Sequence, residues 1–195
     1  MANTFTPRLD ILPAAQQRLW PELFSQEAFE PGLLATAVPY LNGAVIRQSK
    51  ANSLTVTVTR GGPVQVSFFG DLGLGQVAAE DLAEGVLLKV ASLLDLAGTK
   101  AAAITQLAEA KDYLDIHALL TKANISLPRM LAAAAAIYGE QFNPLISLKA
   151  ISYHDDPTLA QLPQHIRRDL IAAVRDADLE KLPTLEVLRP RKLAT

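Results

Sequence analysis

At 195 residues, half of them apolar and 19% charged, the chain can fill one good core, or a core plus a small appended subdomain, and a disordered protein is excluded. Its 18 basic and 20 acidic residues leave a net charge of −2, so no broad basic field marks a dedicated nucleic-acid-binding module, although an enzyme touching RNA at one end stays open. The absence of cysteine excludes disulfides, zinc ribbons and thiol catalysis, and it suits a reducing cytoplasm.

In chain order, "MANTFTPRLDILPAAQQRLWPEL" reads as an extended lead-in and a short helix, with Pro13 in its first turn and Leu12, Leu19 and Trp20 as anchors. No basic region precedes a long apolar run there, so no secretory leader is expected. A helical patch over 31–40 is cut short by Pro39 and Gly43. The pattern then changes to β. Residues 44–49 are β-branched, and 54–59 alternate, with Leu54, Val56 and Val58 on one face and Thr55, Thr57 and Thr59 on the other. Gly61-Gly62 predicts a turn, and Val64, Val66 and Phe68 alternate beyond it, which makes a three-stranded antiparallel meander. "GDLGLGQVAAEDLAEG" predicts a loop and "VLLKV" a short strand.

From Ala91 onward the pattern is helical, with helices predicted near 91–107, 111–122, 127–138, 143–153 and 163–177. Pro128 lies just inside one start and Gly139 just past that helix's end. The longest apolar run, "MLAAAAAIYG", is too short and too alanine-rich to span a bilayer. Strands first and helices after predict an α+β fold, divided into an N-terminal α/β part over 1–90 and a helical part over 91–195.

Few motifs carry chemistry. "GDLGLG" offers bare amides to an anion, but no lysine-serine or lysine-threonine pair follows and no helix opens from it directly, so a connector is favoured over a P-loop. His117, His154 and His165 lack metal-ligand spacing, and "YHDD" reads as a polar helix end before Pro157. No nucleophile elbow is present. The stretch "LDLAGTKAAAITQLAEAKDYLDIHALL" is different, because Lys100, Lys111, Asp112 and Asp115 sit among apolar neighbours. On one straight helix Lys111 would fall about 20° from Lys100, and Asp115 about 60° away. For Lys111 an exposed i,i+4 ion pair with Asp115 is favoured. Lys100, flanked by Gly98, Ala101, Ala102 and Ala103, has room beside it for a phosphate-sized ligand.

"DLAGTK" followed by "AKDYLDI" resembles the nucleotidyltransferase-like AbiEii/AbiGii toxin family, and the likeness extends through "SLPRMLAAAAAIYGEQFNPLISLKAISY" and the opening "TFTPRLDILPAAQQRLWPEL". The resemblance implies a polymerase-β-like nucleotidyltransferase core in the N-terminal part. It implies Mg²⁺-dependent transfer of a nucleotide from a nucleoside triphosphate, an RNA acceptor such as tRNA, and a cognate antitoxin. In that picture Lys100 holds the triphosphate, and Asp112 or Asp115 is the acidic residue that orders the lysine or the acceptor. One family motif is missing from its expected place. A glycine turn, a short helix and a metal-binding Asp-x-Asp strand should separate "LWPEL" from "FSQEAFEP", yet Leu23 runs straight into Phe24. The core is therefore expected to be incomplete, without metal ligands and with a raw sheet edge. Ser67 stands where a third carboxylate belongs. The alternative function is a catalytically dead module that binds a nucleotide or a protein.

Overall fold

The computed structural model describes residues 22–24, 28–59, 61–82, 89–106 and 109–189; the lead-in and short helix expected up to Leu23 lie outside them, except that Glu22 and Leu23 are strand. The meander forms as the alternation predicts. Strands β2 (Val45–Lys50), β3 (Ser53–Thr59) and β4 (Pro63–Phe69) pair antiparallel in chain order. Gly61 takes the positive φ that the tight β3–β4 turn requires. Leu54, Val56, Val58 and Val66 are buried on one face, under Leu41 and the helix α1 (Pro31–Ala37), which contributes Leu34 and Ala35. Glu30 caps α1 by accepting from the Leu33 N–H at 2.6 Å, and Pro31 at the first helical position needs no such acceptor. The opposite face carries hydroxyls, with Thr55 Oγ1 and Ser67 Oγ 3.0 Å apart and the Arg47 Nε donating to Thr57 Oγ1 at 2.9 Å.

The expected raw edge is corrected in part, over Ser67–Phe69 of β4. A short strand β1 (Glu22–Phe24) runs parallel to β4, in register Glu22 to Ser67, so the sheet has four strands in the order β1-β4-β3-β2. At the other edge β2 is solvent-exposed, and its register shifts between Ile46 and Gln48, an irregularity that with Arg47 and Lys50 discourages pairing by another chain.

The described residues up to Gly73 form one compact unit and those from Leu74 onward a second. In the second, Asp81–Leu82 (β5) pairs antiparallel with Lys89–Val90 (β6), the end of the strand expected in "VLLKV". The helices follow at α2 (Leu93–Ala103), α3 (Ala110–Thr121), α4 (Leu127–Tyr138), α5 (Pro144–Ser152) and α6 (Gln164–Arg175), each within a few residues of its expected bounds. Helix α4 is central: Leu127, Met130, Leu131, Ala132, Ala133, Ala134 and Ile137 are all buried. Its alanines leave no side-chain bulk, so α2 approaches its backbone closely. A Cβ added at Gly98 would lie 2.9 Å from the Ala133 carbonyl carbon and from the Ala134 nitrogen. Tyr113 of α3 is fully buried, and its hydroxyl donates toward the carbonyls of Ala150 and Tyr153 at 3.0 Å each, joining α3 to the end of α5. No helix among the described residues is long and apolar enough to cross a membrane.

Candidate functional site

The chain breaks its helix between Ala103 and Ala110, so Lys100 and the two aspartates stand on different helices, α2 and α3. Tertiary packing nevertheless brings them together. Lys100 Nζ lies 3.2 Å from Asp112 Oδ1 and 2.7 Å from Asp115 Oδ2. The lysine side chain is 22% exposed, Asp112 7% and Asp115 34%, so the cluster runs from an interior carboxylate to a surface one. Burial disfavours the ammonium, but the Asp115 carboxylate, and then Asp112, outweigh it and hold the Lys100 pKa above the ordinary lysine value. The lysine is charged at any physiological pH.

Local structure fixes the inner carboxylate. Asp112 is the third residue of α3, and its Oδ2 accepts from the Glu109 N–H at 3.3 Å, which satisfies one of the unpaired donors of that helix start. Two sequence expectations are corrected here. Lys111 meets Glu109 Oε2 at 2.7 Å, while the Asp115 carboxylate that was to pair with it reaches Lys100 instead. The room expected beside Lys100 is also absent on the Gly98 side. Gly98, Ala101 and Ala102 are buried, and the glycine's missing side chain admits α4 rather than a ligand.

One residue of this region went unread. Asp95 is buried at the start of α2, where its carboxylate accepts from the N–H groups of Val77 at 2.8 Å and Ala78 at 3.1 Å and from the Ser92 hydroxyl at 2.5 Å. It thus ties the glycine-rich connector to the helix that carries Lys100. The Ser-x-x-Asp spacing of Ser92 and Asp95 is a capping-box pattern and was the available signal. Asp95→Ala should lower stability by about 2–3 kcal/mol through unpaired buried amides. Faster hydrogen exchange at Val77 and Ala78 would check it.

The remaining polar groups do other work. His117 Nε2 lies 3.1 Å from Asp169 Oδ2, joining α3 to α6. The His154 ring stacks obliquely on Tyr113 at 5.4 Å; burial and the nearby Arg167 keep its pKa below the usual histidine value, against the pull of Asp155. The chain does contain an Asp-x-Asp, Asp176-Ala177-Asp178, which the sequence reading passed over. It lies at the end of α6, not on a strand, and its carboxylates pair with Arg175 at 3.2 Å and Lys181 at 3.0 Å.

A comparison with known families decides the class. The model described as "Nucleotidyl transferase AbiEii toxin, Type IV TA system" matches residues 20–192. The chain belongs to the AbiEii toxin family. No curated protein and no solved structure matches it. AbiEii membership makes a nucleotidyltransferase toxin of a type IV toxin–antitoxin system the expected class, and the α+β layout of sheet and helices agrees with a nucleotidyltransferase-like fold. The divalent metal usual in such chemistry does not fit the residues described here. Asp112 and Asp115 clasp an ammonium, and among the described residues no group of three or more His, Asp or Glu side chains could hold an ion.

Proposed function

We propose that this AbiEii-family chain takes a nucleoside triphosphate at Lys100 and transfers its nucleotide to an RNA acceptor, in the cytoplasm and opposed by a cognate antitoxin protein. The observation that carries this reading is the Lys100 ammonium, kept charged between Asp112 and Asp115 at the junction of two helices. A compact cation with three donors suits phosphate oxygens, and positive charge fixed beside a transferring phosphoryl group stabilises the charge that builds there in the transition state. In this division of labour residues 1–90 form the partial nucleotidyltransferase core, and 91–195 form the helical part that supplies the lysine. Asp112 and Asp115 serve as the carboxylates that order the lysine or the acceptor.

A second reading, the catalytically dead module that binds a nucleotide or a protein, has one observation in its favour. Across β3 and β4 the paired side chains at Thr55 and Ser67 are hydroxyls, which lack the charge a catalytic metal would need from its ligands. The experiment is incubation with each nucleoside triphosphate, labelled on its α-phosphate, together with Mg²⁺ and total RNA. Label carried onto RNA is the expected result. Triphosphate binding with no transfer would select the nucleotide-binding module, and absence of both would remove the transferase and leave the protein-binding form of the second reading.

A further inference from the structure

The two carboxylates on Lys100 are not equivalent. Asp112 is 7% exposed, is the third residue of its helix and is also tied to the Glu109 N–H, so its position is set by the α3 start itself. Asp115 lies one turn further along, is 34% exposed, and among the described residues its carboxylate is held by Lys100 alone. The Lys100 ammonium has three N–H donors, and these two aspartates both lie within ion-pair distance of it. With both in place the cluster carries a net charge of −1, from one ammonium and two carboxylates, which opposes a polyphosphate. Among the described residues one N–H donor stays free for a phosphate oxygen, but the net negative charge is relieved only when one of the two carboxylates moves away.

We infer that Asp115 is a displaceable internal anion, which a polyphosphate replaces on Lys100, while Asp112 stays as the residue that positions the lysine. The inference rests on the reading of Lys100 as a triphosphate site. Asp115 is the one that yields, although its 2.7 Å contact is the shorter, because its side chain is the more exposed of the two and lacks the second anchor that the Glu109 N–H gives Asp112. Asp112 cannot leave without unpairing the helix start and stranding an interior charge. The consequence runs opposite to what an ordinary binding carboxylate predicts: removing the charge of Asp115 strengthens anion binding.

The test is calorimetric titration of the whole chain with inorganic tripolyphosphate at low ionic strength and pH 7.5. Wild type, Lys100→Ala, Asp115→Asn, Asp115→Ser and Asp112→Asn are compared, each after a circular-dichroism check of folding. Expected are loss of binding in Lys100→Ala, about fivefold tighter binding in both Asp115 variants, and weaker binding in Asp112→Asn. Unchanged or weaker binding in the Asp115 variants, with Lys100→Ala still abolishing it, would overturn the displacement and leave the lysine site standing. Binding that ignores Lys100→Ala, or no binding by wild type, would overturn the lysine site and the displacement with it.

Discussion

Lys100→Ala is expected to lower nucleotide transfer to RNA by about 10²–10³-fold, the usual effect of removing one preorganised charge from a transition state. It is also expected to lower stability, because the substitution leaves Asp112 at 7% exposure with its counter-charge gone and Asp115 nearby. Breaking a fully buried pair costs about 3–5 kcal/mol. Here the lysine is 22% exposed and Asp115 reaches water, so about 1–2 kcal/mol is the better expectation. The two effects separate in a double variant. Lys100→Met with Asp112→Asn removes the stranded charge while keeping the apolar stem, so the melting temperature should recover relative to Lys100→Met alone. Transfer should not recover. If transfer returned with stability, Lys100 would be a structural residue and no part of a nucleotide site.

Gly98→Val should be a strongly damaging core change in the helical unit. The first carbon of any side chain there meets backbone atoms of α4 at 2.9 Å, and backbone cannot rotate aside as a flexible side chain can. Helix α2 would have to move off α4, and overpacking of this kind costs about 3 kcal/mol. For a chain of this size that corresponds to a melting temperature lower by about 6–12 °C. Gly98→Ala should cost less, since it adds the clashing carbon without the branches. A Gly98→Val melting temperature within a degree of the parent would mean that α2 and α4 are not packed as closely as described. Because Lys100 is two residues further along α2, the valine variant should also weaken triphosphate binding, a coupling that a purely local defect would not produce.

These residues show where sequence reasoning reached and where it stopped. Alternation alone predicted that Leu54, Val56 and Val58 share a buried face, because a strand's side chains have a period of two whatever packs on them. Helix ends were equally legible, since Pro128 and Gly139 act through their own backbone geometry. The small residues around Lys100 were misread. Gly98, Ala101 and Ala102 are compatible with an open pocket or with a close neighbour, and composition cannot choose between the two. The partner at the end of β4 was missed for a related reason: nothing in three residues of Glu-Leu-Phe says that β4 will take them as a parallel partner.

By itself, then, the sequence determined the local elements, the family motif "DLAGTK…KDYLD", and the suspicion attached to Lys100, all of which depend on near neighbours in the chain. Tertiary structure alone decided that Asp115 belongs to Lys100 rather than to Lys111, that Asp112 is anchored and Asp115 is not, and that Asp95 holds the connector onto α2. Residues 12 and 15 positions apart share no local geometry once a helix breaks between them. Their meeting is set by how α2 and α3 pack, while Gly98 holds α2 close against the α4 backbone.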